Sequence, residues 1–370
     1  MDLEVDRRQL RTVRVVAAPP HQLQPGEARL RVESFALTSN NITYAVFGDA
    51  MRYWDFFPAN PSNANPAGAG EAADIAWGRV PVWGFADVIE STVDTLAEGT
   101  RIYGYLPMSH ELIVRPGRFD DRGFSDTAAH RAPMAGAYNR YVYCAEDPIY
   151  DADREPHQMV LYPLFFTSFM IDDVLDDTAQ LGGSVVISSA SSKTAIGAAY
   201  LLSRREGAHV VGLTSARNAD FVRELGCYHE VVTYDALDQL PAGPAAYVDI
   251  AGDSAVTRAV HEHYTESLTY SMIVGGTHWD GPPPVPGDLP GPAPQFFFAP
   301  SQIAKRNKDW GRDGLESRTI DAWAAYRDWV DGWLHFERAH GAAAVQQTYL
   351  DLLDGKVDPR VGHVCTMEDA

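Results

Sequence analysis

The chain has 370 residues, 45% hydrophobic and 22% charged, which suits a soluble protein of two domains, or of one domain with a large elaboration. A net charge of −20 without a segregated basic patch argues against a nucleic-acid partner. No stretch approaches twenty consecutive apolar residues, and the N-terminus lacks the apolar run of a signal peptide, so no membrane partner is expected. Cys144, Cys227 and Cys365 lie far apart without metal-ligand spacing, which points to a reducing, cytoplasmic setting and unreactive thiols.

In chain order, the first part reads as short strands: Gly26–Leu37, Arg79–Ser91, two more within Thr100–Gly117, and RYVYC. Irregular stretches separate them, among them Pro58–Gly70 and RFDDRGFSDTAAHRAPMAGAYN. An antiparallel, turn-rich β domain fits this pattern. The character changes near residue 155. Leu161–Leu175 reads as a buried helix, and strands and helices then alternate: Ser184–Ala190, a helix ending at Gly207, HVVGLT, a helix ending at Gly226, HEVVTY, AAYVDIA, a helix over Ser254–Tyr264, and LTYSMIVGG. Such alternation predicts parallel βαβ units and an α/β fold. Gly281–Pro294 is too proline-rich for helix or central strand and reads as a connector or a lid. Helices follow over Ser301–Trp310, Ser317–Ala339 and Ala342–Leu353, then a last strand, VGHVCTM.

A dinucleotide site needs a strand, a tight turn and a helix whose N–H groups face the pyrophosphate. SVVISSASSKTAIGAAYLL has that order without the glycine-rich fingerprint. Ser191, Ser192 and Thr194 are small and carry hydroxyls, Lys193 adds a cation, and Gly197 stands where the helix would meet a strand closely. The same residues also read as an N-cap cluster opening an ordinary crossover helix. The next strand ends on Thr214, Ser215 and Arg217, with no acid to bond a ribose hydroxyl. Hydroxyls and a guanidinium suit a 2′-phosphate, so NADP(H) is expected over NAD. Gly275, closing the last strand candidate, completes the expected cofactor-binding set.

Several segments together resemble the quinone-oxidoreductase side of the zinc-free medium-chain dehydrogenase/reductase superfamily. They are PGEARLRVESFALTSNNITYAVFGD, WGFADVIESTVDTLAEGTRIYGYLP, ELGCYHEVVTYD and GKVDPRVGHVCTM. The ASSKTAIG turn, HRAPMAGAYNRY and FFFAPSQIAKRNKDWG resemble a divergent branch of unknown function. The resemblance implies a discontinuous GroES-like catalytic domain (1–155 and 311–370) and a Rossmann domain (156–310). It implies no catalytic zinc, because no cysteine stands near Ser39–Asn41 and the ligand turn falls on Gly84-Phe85-Ala86. It places Tyr44 at the nicotinamide as the first candidate for proton donor, with Tyr53 and Asn41 next, and Thr167 near the carboxamide. Trp54, Phe56 and Phe57 would line an apolar pocket, or simply pack. The activity implied is NADPH-dependent reduction of an activated C=C bond or a quinone. A zinc-free ketone or alcohol dehydrogenase and a non-catalytic NADP-binding redox sensor are the alternatives. A homodimer joined through the Leu268–Gly276 strand also follows from the resemblance.

Overall fold

The computed structural model describes residues 1–59, 76–274 and 288–369. Most of Pro58–Gly70, the first half of Gly281–Pro294, and Gly275 lie outside the described residues. The chain divides into two compact units: Met1–Val160 with Leu334–Ala370, and Leu161–Trp333.

The first unit opens with β1 (Asp2–Asp6), β2 (Val13–Val16), β3 (Ala28–Leu37) and helix α1 (Ser39–Val46). A one-turn 3-10 segment, Tyr53–Asp55, precedes β4 (Trp77–Gly78), β5 (Pro81–Ser91), β6 (Arg101–Pro107) and β7 (Glu111–Val114). The stretch read as irregular contains a hairpin, β8 (Pro116–Asp120) and β9 (Gly123–Asp126), then the single turn α2 (Gly136–Asn139), before β10 (Arg140–Tyr143). The hairpin is polar on its exposed side, so its alternation is weak, and pairing with β10 supplies the missing stabilisation. Helix α3 (Glu155–Asp177) follows, running past the boundary of the first unit.

In the second unit come β11 (Ser184–Ile187), α4 (Lys193–Leu202), β12 (His209–Thr214), α5 (Ala219–Glu224), β13 (Glu230–Thr233), β14 (Ala245–Asp249), α6 (Ser254–Tyr264) and β15 (Leu268–Ile273). A two-residue strand, β16 (Gln295–Phe296), and α7 (Ala299–Val330) complete it. Gly311, at φ 73° and ψ 167°, breaks α7 into two helices near the predicted gap. The first unit resumes with β17 (His335–His340), α8 (Ala342–Leu353) and β18 (Val361–Thr366). The helix expected over Ser317–Ala339 therefore ends at Val330: a turn through Gly332 stops it, and His335–His340 pairs with β18 along its whole length. Both halves of α7 lie in the second unit, so the chain re-enters the first at Leu334 and not at 311.

A three-stranded sheet (β2-β1-β4) and a nine-stranded sheet build the first unit. The larger runs β17-β18-β3-β5-β6-β10-β9-β8, with β7 on β3. It is antiparallel except at β17–β18, as a GroES-like unit requires. The second unit holds one parallel sheet in the order β13-β12-β11-β14-β15-β16, the Rossmann order 3-2-1-4-5-6. The strand order reverses between β11 and β14. Because β16 pairs with β15, the strand expected at the edge is not the edge. Helix α3 has the length and apolar composition of a membrane span, yet two-thirds of its apolar window, 67%, is buried in the fold.

Candidate functional site

The expected nucleotide side of the second unit lies at the carboxyl ends of β11, β12 and β14. β11 ends at Ile187, and the chain turns at Ser189, whose φ of 53° is left-handed without glycine's freedom. Surrounding side chains hold that strain. The Tyr234 hydroxyl accepts the Ser189 N–H at 2.8 Å, and the Tyr228 hydroxyl donates to the Ala190 carbonyl at 2.9 Å. Ala190 N–H bonds the Leu213 carbonyl, and Asn218 Nδ2 donates to Ser191 Oγ at 3.0 Å. Ser192 is the N-cap of α4, its hydroxyl accepting the Ala195 N–H at 3.3 Å. The capping alternative thus describes Ser192, while tyrosine and asparagine contacts replace the glycines that would ordinarily make the turn.

Gly197 does make a close approach, but not to a strand. A methyl group there would lie 2.6 Å from Ser168 Oγ on α3, so the residue sets the spacing of α3 and α4. Ser168, fully buried, donates to the Thr194 carbonyl at 2.7 Å across the same contact. Thr167 is half-buried, and its hydroxyl donates to the Pro163 carbonyl one turn earlier in the same helix at 3.1 Å. Lys193 opens α4, half-buried beside Thr194. At the end of β12, Thr214 is buried, Ser215 half-buried and Arg217 exposed on the following 3-10 turn.

On the other side of the strand-order reversal stands Asp249, at the end of β14. Its carboxylate accepts from Ser188 Oγ (2.8 Å), Gly252 N–H (2.9 Å) and Thr257 Oγ1 (3.0 Å), and burial raises its pKa. Ser188 Oγ in turn accepts the N–H groups of Ile250 and Ala251 at 2.8 and 2.9 Å. This network ties the loop after β14 to the end of β11, and no sequence motif announced it.

The first unit carries an aromatic cluster. On facing strands β5 and β6, Trp83 lies opposite Tyr105, Gly84 opposite Gly104, and Phe85 opposite Tyr103. The glycine pair has no room for side chains: a methyl at Gly84 would meet the Ser34 carbonyl at 2.2 Å, and one at Gly104 the Tyr141 ring at 2.4 Å. The alternate positions, on the opposite face by strand periodicity, form a wall of rings. Tyr44 of α1 and Tyr53 of the 3-10 turn close on it, their ring centroids 4.6 Å apart. Tyr138 of α2 completes the box, 4.9 Å from Tyr105 and 6.0 Å from Tyr53. Phe56 packs edge-on against Tyr105 at 5.2 Å. Trp83 Nε1 donates to the Tyr44 hydroxyl at 3.4 Å. Burial is the first cause of raised pKa values for Tyr44, Tyr53, Tyr105 and Tyr138, so each hydroxyl is a protonated donor at neutral pH.

Tyr44 and Tyr53 therefore meet in one place. Asn41 does not join them: its Oδ1 accepts the Thr38 N–H at 2.7 Å and its Nδ2 donates to the Pro81 carbonyl at 2.9 Å, so it secures the start of α1. Trp54, Phe56 and Phe57 are almost wholly buried, and Gly48 leaves space for the Trp54 indole. Tyr105, Tyr138 and Trp83 went unread. The alternation of Trp83 with Phe85 and of Tyr103 with Tyr105 was the available signal. Among the described residues, no group of three or more His, Cys, Asp or Glu could hold a metal ion. The three thiols are buried and unpaired, with burial pushing Cys144 and Cys227 up to about 12.

The two sheets and the strand order are those of the medium-chain dehydrogenase/reductase fold. Within that fold the chain belongs to the family described as a protein of unknown function (DUF2855), whose model matches residues 35–358. CurA from Vibrio vulnificus, solved in complex with NADPH, shares the fold at a TM-score of 0.60 and 15% identity, over 97% of this chain and 94% of that one. YhdH from E. coli K-12 with bound NADPH aligns over 100% of both chains, at a TM-score of 0.58 and 12% identity. A mutant enoyl thioester reductase from Candida tropicalis aligns over 99% of this chain and 98% of that one, at a TM-score of 0.55 and 14% identity. No curated protein matches the sequence.

Proposed function

We propose that the chain is an NADPH-dependent, zinc-independent oxidoreductase that reduces an activated C=C bond or a quinone. The observation that carries the reading is the order β11, tight turn, α4 at the reversal of a 3-2-1-4-5-6 sheet, with Thr214, Ser215 and Arg217 and no acid at the end of the second strand. Its support includes the NADPH-bound structures of CurA and YhdH, which share the fold. Ser191, Lys193 and Thr194 would face the pyrophosphate, and Ser215 and Arg217 the 2′-phosphate. NADPH, when bound, supplies the hydride. The electron pair it displaces gathers on the acceptor oxygen, where Tyr44 donates a hydrogen bond and Tyr53 supports it. Because burial raises the Tyr44 pKa, its role is to donate that bond, while water supplies the proton.

Zinc independence rests on residue type and packing. Phe85 and Ala86 are fully buried and Gly84 lies against the β3 backbone, so the position where relatives of this fold carry a ligand turn is closed apolar core here. A zinc-free ketone dehydrogenase would share all of these features. A non-catalytic NADP sensor is favoured only by the turn, whose Ser189 and Ala190 N–H groups are already bonded within the protein.

Calorimetric titration with NADPH and NADH tests the cofactor, and NADPH consumption against enones, enoyl thioesters, quinones and ketones tests the reaction. Arg217→Ala should weaken NADPH by roughly 1–3 kcal/mol and leave NADH nearly unchanged. NADH binding as tight as NADPH would overturn the preference, and turnover lost on chelation would overturn zinc independence.

A further inference from the structure

The aromatic box of the first unit holds one hydroxyl that the proposed reaction does not use. Tyr105 is fully buried on β6, its ring enclosed by Trp83 at 5.1 Å, Phe56 at 5.2 Å, Tyr44 at 5.6 Å and Tyr138 at 4.9 Å. Its carbonyl accepts the Tyr141 hydroxyl at 2.8 Å. Its own hydroxyl has no hydrogen-bond partner of normal geometry among the described residues, though it lies near enough to the Tyr44 hydroxyl to act against the rise of that group's pKa. An enclosed hydroxyl without a partner opposes folding, and phenylalanine would fill the same ring volume without that penalty.

The surroundings state what such a hydroxyl suits. Four tyrosines and Trp83 offer neutral donors and ring faces. The nearest cation, Arg131, stacks over Phe56 and Phe57 but is bonded to Asp126, Asn139, the Tyr141 hydroxyl and the Tyr138 carbonyl. An anionic ligand would be buried there without a counter-charge. Tyr138, half-buried, is the solvent-facing wall.

We infer that Tyr105 orients the ligand of this box, donating to the oxygen of an uncharged, planar carbonyl compound that packs on the aromatic faces. The inference rests on reading the first unit as the substrate side of a reductase. Three probes test it on the full chain without cofactor, by calorimetry: acetophenone, ethylbenzene, which lacks the carbonyl, and benzoate, which is charged. The wild type should prefer acetophenone to ethylbenzene by about tenfold, a single net hydrogen bond, and bind benzoate weakest. Tyr105→Phe should bring acetophenone to the level of ethylbenzene, leave ethylbenzene unchanged, and keep or raise Tm. A purely structural tyrosine would lower Tm and weaken both neutral probes together, which would overturn the inference. So would an unchanged preference in Tyr105→Phe, benzoate binding as tight as acetophenone, or no binding of acetophenone to the wild type. A parallel NADPH titration separates the two readings. If NADPH fails to bind while the carbonyl preference is lost in Tyr105→Phe, the reductase assignment falls and the ligand site stands. If NADPH binds and the preference survives the substitution, Tyr105 has no such role.

Discussion

A phenol can stabilise a developing oxyanion only while it keeps its proton, and enclosure secures that for Tyr44. Tyr44→Phe keeps the ring contacts with Tyr53, Tyr105 and Tyr138 but removes the donor. The expected loss is on the order of 10²–10³ in kcat, as for other oxyanion donors, with NADPH affinity unchanged in the same preparation. Turnover within a few-fold of the parent would leave Tyr44 as packing. Burial of these phenols also sets an alkaline limit. Their folded pKa values lie above the unfolded value of about 10, so the native state binds more protons once pH exceeds it. Their contribution is fully present below pH about 10 and is lost as pH rises toward the folded values. Tm measured against pH should fall in that window, and less steeply for Tyr44→Phe than for the wild type. The sequence made Tyr44 legible, because its place in a resembling segment marked it, and Tyr53 followed as a next candidate. Tyr105 and Tyr138 lie far from them in the chain, and only strand pairing and the turn of α2 bring the rings together.

At the scale of elements, Gly197 was expected to serve a helix–strand contact and instead separates two helices. A methyl group 2.6 Å from Ser168 Oγ must push α4 from α3 or turn the serine away from the Thr194 carbonyl. Gly197→Ala should therefore lower stability by about 1–3 kcal/mol, the usual effect of overpacking, as read by denaturant unfolding. Any loss of NADPH affinity should be secondary, arising from displacement of the start of α4; full stability with abolished binding would instead place Gly197 at the phosphate. Helix α6 and helix α8 matched their predicted limits because periodicity and sharp ends agree there. The segment His335–His340 did not: its alternation is faint, and its extended form is imposed by six paired positions on β18.

For the whole molecule, the charge of −20 and the sheet order bear on assembly and cofactor alike. An anionic dinucleotide must be held by local groups such as Arg217 and the first turn of α4, against the global field, so NADPH binding should tighten as salt rises from very low levels if that field dominates, and weaken if the local cations do. Assembly offers a separate test. A homodimer through the sheet edge would use β16, where Phe296 is 62% exposed, in place of β15. Light scattering should give twice the chain mass for the parent and the monomer mass for Phe296→Asp; a monomer at all concentrations for the parent would overturn the expectation. The sequence by itself determined the two kinds of sheet, the βα alternation and the strand–turn–helix at Ser184–Leu202, because apolar period and turn residues are local properties. Only the tertiary structure decided the strand order, the side chains gripping the serine turn, the re-entry at Leu334 and the aromatic box. Each of these depends on pairing or packing between residues distant in the chain, and no local pattern encodes which distant partner will be met.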